Sequence, residues 1–432
     1  MDPLEVAHLL RRTEFVARPA RVTELSALAT RAEAVDNILN LPPPDPIPAF
    51  IDRDIDTMGY DQYVFASQWW GDRMTDSPKP MQEKMTFFWH GHFCSSSEKV
   101  NSAQLMTEQN QLFRTMALGN FRTLAHTMSL QPAMLIYLDN IYNYASSPNQ
   151  NFARELLELF TLGVGNYTEN DVTAAARAWT GHGYDSATNL YVFDPTDHDT
   201  DPKTFMGVTR NFDGPDIIEF LLNENTTTKL IACKFLTRKL WRFFAYENPP
   251  ATVVNQLAAV LYDNDFEMKP WVKAMLVHDE FYSTTARQGM VRNPVDFVVA
   301  VQYHTGLRGA DLNPQWYYDG MGMEPWRPPN VAGWKTNGYF VNTSEFSERA
   351  EFARDVMWKL INSGSINVVT GHTPTQAADA AAALFDLQLS DASRNGLIQY
   401  ATQQAAAQNW TNWWENPNLI TMAMLVPEMH LA

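Results

Sequence analysis

The sequence predicts a mainly α protein, a large multi-helix domain with long irregular loops and little strand, on three observations. Apolar residues recur at spacings of three and four along most of the chain, clusters of Pro and Gly stop those runs, and alternation of period two is confined to one short stretch. The first helix is carried by Leu4, Val6, Ala7, Leu9 and Leu10, and a second pattern runs from Val22 to Leu39 until Pro42-Pro43-Pro44 ends it. From Tyr60 through Trp69-Trp70 the period holds to about Ser77, where Pro78-Lys79-Pro80 forces a new start near Met81; Gly91 closes that next helix. Helical spacing returns over Gln104–Leu118, Thr123–Leu130, Asn151–Leu162, Glu169–Trp179, Thr228–Tyr246, Val253–Tyr262 and Trp271–His278, and the Ala-rich Ala377–Ala383 extends the pattern towards the end.

Two stretches break the period. Asp185–Asp213 alternates weakly around Leu190 and Val192 and is rich in Pro, Asp and Gly, which suits a short hairpin or an ordered loop. Gly306–Asn342 holds Trp316, Trp326 and Trp334 among its glycines and prolines; rings of that size are too costly to leave in water, so the loop is expected to fold across the helical body and wall a cleft. Within it, the rigid Pro328-Pro329 pair would aim Arg327 and Asn330 at that cleft. The alternative is that the rings only plug the core. With no internal repeat, the chain reads as a single domain over 1–432, with a subdivision near 1–185 and 215–432 around the irregular loop 185–213 as the other organisation.

Composition narrows the function. Hydrophobic residues make up 45% of 432, so the chain buries a core, while charged residues at 19% and 13 Trp leave a thinly charged, ring-rich surface that leans towards a binding cleft. The net charge of −17 disfavours nucleic acid as a main partner. The densest basic run, Lys234, Arg238, Lys239 and Arg242, is interleaved with Phe235, Leu236, Leu240, Trp241 and Phe243 as in one amphipathic helix. Cys94 and Cys233 are too few for a zinc finger or a disulfide scaffold and leave room for one long-range bridge. No apolar run is long enough to span a membrane, and the chain as given opens without a signal segment.

Three polar blocks could carry chemistry. His90 and His92 flank Gly91 at an expected helix end, where both imidazoles could serve as metal ligands; the bland reading is two helix-terminal histidines bonded to carbonyls. Glu155 and Glu158 lie three apart on one helical face and, as like charges, ask for a cation between or beside them: a metal, Arg154 or another arginine. A bland alternative pairs one of them with Arg177 and leaves the other solvated. Asp197-His198-Asp199-Thr200-Asp201 imitates half of an EF-hand loop, but Pro202 stands where that loop needs Gly; calcium at Asp197, Asp199 and Asp201, or a catalytic role for His198 and Asp199, remain the functional readings. No GxSxG elbow, phosphate-binding Gly loop, dinucleotide fingerprint or HExxH is present.

Taken together, His8-Leu9-Leu10-Arg11-Arg12, the FWHGHF block, the run NFARELLELFTLGVGNYTEND from Asn151 to Asp171, Ala176-Arg177-Ala178-Trp179-Thr180-Gly181, His198-Asp199 with Lys203-Thr204 and Gly207, Lys234–Leu240 and Pro328-Pro329-Asn330-Val331-Ala332-Gly333-Trp334 resemble the bacterial family catalogued as domain of unknown function 1800. The resemblance covers the whole chain and implies little about activity. Its members often carry export signals, so it implies an extracytoplasmic home, periplasmic or secreted. It also groups His90/His92, Arg154/Glu155/Glu158 and His198/Asp199 as a candidate joint site.

The expectation is therefore a metal-dependent hydrolase acting on a glycan or another extracellular polymer. His90, His92, Glu155 and Glu158 would hold a divalent ion, with His198, Asp199 or a spare glutamate moving protons. Arg154, Arg177, Trp179, Lys203, Arg327, Asn330 and Trp334 are the candidate substrate contacts. Metal-free glycoside hydrolysis by Glu155 and Glu158, and a non-catalytic protein that binds a glycan or a partner protein through its Trp-rich loop, are the competing expectations.

Overall fold

Helix starts follow the capping chemistry. Asp2 caps the helix Pro3–Glu14, Thr30 and Glu33 form a capping box on Arg31–Ile38, Thr168 and Asp171 form one on Glu169–Ala178, and Asn225 caps Thr226–Phe244 through the amides of Thr227 and Thr228. A computed structural model describes residues 1–47, 58–287, 289–363, 373–406 and 417–432. It is 63% helical with 5% strand, so the mainly α class is the observed one. Among the described residues no helix is long and apolar enough to cross a membrane.

The core falls into two hydrophobic clusters. The first gathers the helices Pro3–Glu14, Arg31–Ile38, Phe121–Ser129, Glu169–Ala178, Thr226–Phe244, Ala251–Asp263 and Met268–Val277. The second gathers Tyr60–Asp76, Pro294–Thr305, Thr343–Asn362 and Pro374–Leu384. The helix Pro80–His92 serves both: Met81, Met85, Phe88 and Trp89, at helical spacing, enter the first cluster, and Phe87 enters the second. Apart from Gly91 it is buried all round, which explains why its sequence is so rich in rings. The 185–213 segment lies within the first cluster, through Phe205 and Phe212, and not between the clusters.

That segment closes two antiparallel hairpins. β1 (His182–Asp185) pairs with β2 (Leu190–Phe193) in the register Gly183↔Val192, and β3 (Lys203–Phe205) pairs with β4 (Val208–Arg210) through Thr204↔Thr209. The segment 306–342 is ordered by the short helices Gly309–Leu312 and Gln315–Tyr318 and a 3-10 turn at Asn337–Phe340. Cys94 and Cys233 are buried free thiols, so the bridge the sequence left room for is not made.

Candidate functional site

The structure separates the three polar blocks. The helix Pro80–His92 continues through Gly91, so His90 and His92 stand two residues apart on a helix, roughly 200° around its axis. His90 is enclosed by Trp70, Phe113, Trp326 and Trp334, with Trp334 stacked on it at 5.3 Å, and neither ring nitrogen makes an aligned hydrogen bond. Burial pushes its pKa down to about 3. His92 faces Phe88, Phe93 and Phe121 and bonds through Nε2 to the Phe160 carbonyl at 3.1 Å. Burial, and after it the charge of Lys239, holds His92 well below the ordinary imidazole range, and a cation at that position would repel a divalent ion. The pair is thus not a shared ligand set: the spacing suggests one only if the helix stops at Gly91, and it does not.

The glutamates are also placed differently from expectation. The helix Asn151–Glu155 runs into a π-helical turn, Leu156–Thr161, which carries Glu158. Glu158 accepts a short hydrogen bond from Tyr167, and Arg154 pairs with Glu169 at 2.7 Å instead of lying between Glu155 and Glu158. Glu155 is half-buried; burial first and the Glu158 charge second raise its pKa. Arg177 goes to neither glutamate.

Arg177 clamps Asp199 instead, at 2.6 and 3.0 Å, in the two-pronged geometry that favours Arg over Lys. Burial pushes the Asp199 carboxyl up, but the hydrogen bonds and charge of Arg177 override it and hold the group low. Asp199 also accepts the Asp201 amide, while Lys203 is buried beneath it, donating to the Asp199 carbonyl and to Asn211 at 3.1 Å. Asp199 is therefore committed to this frame and is not an open calcium ligand with Asp197 and Asp201, of which Asp201 faces solvent.

The same frame brings two histidines and a carboxylate together. Asp199 N donates to the Thr180 hydroxyl at 2.8 Å, and the Thr180 carbonyl lies 2.8 Å from His198 Nδ1. Gly181 makes this approach feasible. It sits at φ +77°, and a Cβ there would lie 2.4 Å from the Asp194 carbonyl and 3.2 Å from the His198 Cβ. His182, the first residue of β1, bonds through Nδ1 to the Tyr191 hydroxyl and through Nε2 to Asp213 Oδ1, both at 2.8 Å. Asp213 caps the helix that follows through the Gly214 amide at 2.7 Å. Burial raises the Asp213 carboxyl, but the hydrogen bond and charge of His182 lower it further, to below the usual range.

Among the described residues, His182, His198 and Asp213 form the group of three metal-capable side chains whose ligand atoms all lie within 4.8 Å of one another. The ring of His198 reaches that of His182 at 6.1 Å, and Trp179, fully buried under Gly214, props His182 from behind at 4.8 Å. Trp179 is thus a support and not a substrate contact. Phe193, 41% exposed, packs against both imidazoles at the rim.

The sequence pointed at His198 but not at its partners. His182 follows directly on the Ala176–Gly181 block, and its adjacency to a glycine was the available signal; Asp213, 31 residues away, gave none. In the Trp-rich segment, Arg327 stacks on the Tyr63 ring at 3.7 Å and lies 3.5 Å from Glu324, while the Asn330 carbonyl accepts Cys94 Sγ at 3.2 Å. Neither lines the cavity that Trp334 borders. That cavity, which His92 borders as well, lies between the helices Pro3–Glu14, Pro80–His92 and Thr226–Phe244.

No match was found among curated proteins or among solved structures. A family profile, described as a protein of unknown function (DUF1800), matches residues 8–431, nearly the entire chain. The blocks that build the His198 frame and the helix Pro80–His92 all lie inside that match, and the chain belongs to the DUF1800 family.

Proposed function

We propose that the protein is a metal-dependent enzyme, a hydrolase that activates water at His182, His198 and Asp213. The observation that carries the reading is the convergence of three ligand atoms within 4.8 Å on a partly open site. The hydrogen bonds around it have the pattern of a metal site. His198 donates from Nδ1 to the Thr180 carbonyl, which leaves its lone pair on Nε2, whereas His182 donates from Nε2 to Asp213 Oδ1, and an ion at Nε2 would move the His182 proton to Nδ1, facing the Tyr191 hydroxyl. Burial pushes Tyr191 up to about 12, so it stays a phenol and can accept the His182 proton. An ion would take the place of the proton now shared by His182 Nε2 and Asp213 Oδ1.

Two imidazoles and one carboxylate leave a coordination position for water, whose pKa a first-row divalent ion lowers towards neutrality. Arg177, Asp199 and Thr180 then act as positioning residues, since they fix the His198 ring without reaching the ion. The exposed ring of Phe193, which packs against both imidazoles, gives a flat apolar face beside the ligand atoms. Such a face suits a sugar ring, and it supports a glycan or similar polymer as substrate. The Glu155–Glu158 alternative has weaker footing: two carboxylates three apart on one turn point the same way, whereas glycoside cleavage needs them on either side of the bond.

Titration of untagged, chelator-stripped protein with Zn2+ and Mn2+ by calorimetry is the test, with metal content measured by plasma emission. His198→Ala and Asp213→Asn should abolish stoichiometric binding while far-UV circular dichroism stays helical, and a His90→Ala/His92→Ala pair should retain the metal if it folds. Absence of binding in the wild type, or full binding in His198→Ala, overturns the assignment.

A further inference from the structure

A cavity of about 270 Å³ lies where the helices Pro3–Glu14, Pro80–His92 and Thr226–Phe244 meet the segment 332–337. It shares no residue with the His182–His198–Asp213 group. In a chain of net charge −17, its wall is cationic: Arg11, Arg12, Lys84, Lys239, Arg242 and Lys335 face it. Against those six stands Asp296.

Two of the cations are spoken for, Lys84 by Asp296 at 2.7 Å and Arg242 by Glu247 at 2.8 Å. Among the described residues, Arg11, Arg12 and Lys239 form no ion pair. Arg12 is 3% exposed; its Nη2 donates to the Ala286 carbonyl at 2.6 Å, and its Nε is buried without a partner. The Nε of Arg11 is buried unpartnered as well, and Lys239 donates to the Leu159 carbonyl at 3.1 Å and lies 5.5 Å over the Phe235 ring. One buried and two partly buried cations around one cavity, compensated only through space by an Asp296 already bonded to Lys84, are costly in the empty state, and an anion relieves that cost. Burial lowers the pKa of all three, Arg12 to about 9 and Lys239 to about 8, which is the direction expected of cations lacking a partner.

The remaining wall is aromatic. Phe87, Phe88, Phe243 and Trp334 line it, with Trp334 stacked on Phe87 at 5.1 Å. A bare inorganic ion would leave those faces uncovered, and the volume is at the small end for ligand pockets. We propose that this cavity is a binding site for a small organic anion, a phosphate or carboxylate group on a ring or short apolar body, with Arg11, Arg12 and Lys239 holding the charge and Phe87 and Trp334 the body.

Calorimetry of the full chain with phenyl phosphate, benzoate, inorganic phosphate and benzyl alcohol tests this. Phenyl phosphate or benzoate should bind saturably and more tightly than either inorganic phosphate or benzyl alcohol, and the stronger of the two names the head group. Lys239→Met and Arg11→Met should each weaken that ligand by about ten-fold or more, as loss of a charge-assisted hydrogen bond does. Arg12→Met should do the same where it folds, and Trp334→Ala should weaken phenyl phosphate while leaving inorganic phosphate unchanged. The proposal is overturned if neither organic anion binds, if benzyl alcohol binds equally well, or if Lys239→Met and Arg11→Met bind as the wild type does.

Discussion

At His90 the protein buries an imidazole with both nitrogens lacking an aligned hydrogen bond, among Trp70, Phe113, Trp326 and Trp334, where the ring can only be neutral. Desolvation lowers His8 and His90 to about 3 and His304 to about 4, and it holds His92 and His430 well below the ordinary imidazole value. In the unfolded chain these groups take up a proton near pH 6.5, whereas the folded state does so only near 3 to 4. Between those limits the unfolded state binds more protons, so stability falls as pH drops below 6.5, by up to about 1.4 kcal/mol per pH unit for each histidine. Above 6.5 this dependence vanishes. His90→Leu removes one such proton and a buried imidazole without an aligned hydrogen bond, at similar volume, so it should keep or raise stability at pH 7 and flatten the acid slope. Urea unfolding at pH 7 and pH 5 measures both. A His90→Leu protein with an unchanged slope, or one that is unfolded at pH 7, would mean that the imidazole makes a polar contact the fold depends on.

The segment from Trp326 to Trp334 shows what periodicity can and cannot assign. Its Gly, Pro and Trp content made an ordered loop legible, but an irregular segment has no repeating face, so nothing in the sequence said which ring goes where. Trp326 turns out to be a plug, fully buried 5.0 Å from Trp70 and 5.7 Å from His90, and it is held in the left-handed region at φ +69°. Trp334 is part-buried, donates to the Glu324 carbonyl at 2.9 Å and walls the cationic cavity. Between them Gly333, at φ +84°, passes so close to Gly91 that a Cβ would sit 2.3 Å from the Gly91 carbonyl. The crossing thus requires glycine at 333, while at Gly91 in the FWHGHF block a Cβ would meet only the Trp334 ring at 3.4 Å. Trp326→Ala should lose about 3–5 kcal/mol, as emptied aromatic core sites do, and Trp334→Ala should lose clearly less. Gly333→Ala should destabilise by more than about 1 kcal/mol, because its φ and the contact with Gly91 both oppose a side chain. Chemical denaturation of the three variants ranks them, and equal losses at Trp326 and Trp334 would contradict the division into plug and wall.

Across the whole molecule the helical pattern was legible because most helices bury one stripe, whereas the division of the core was not, because the helix Pro80–His92 is buried on every side. The charge pattern is equally hidden in the sequence. An acidic chain places Arg12, Lys84 and Arg292, all nearly fully buried, around the carboxylate of Asp296, and only Arg292 is near Asp296 in sequence. Lys84 and Asp296, at 2.7 and 2.8 Å, tie the helix Pro80–His92 to the helix Pro294–Thr305. Asp296 also raises the pKa of Arg12 and Arg292 through space, so it compensates three cations and not one. The two halves of this ion pair should then be unequal on mutation. Lys84→Met keeps the aliphatic stem and leaves Asp296 facing Arg12 and Arg292, whereas Asp296→Asn leaves three buried cations without their carboxylate, the situation that costs about 3–5 kcal/mol when a buried pair is broken. Urea unfolding should therefore rank Asp296→Asn as the more damaging change. Adding Lys84→Met to it should recover part of the loss, since one of the uncompensated charges is then gone. Equal losses in the single variants, with strict additivity in the double, would mean that Asp296 answers to Lys84 alone and that Arg12 and Arg292 do not feel it.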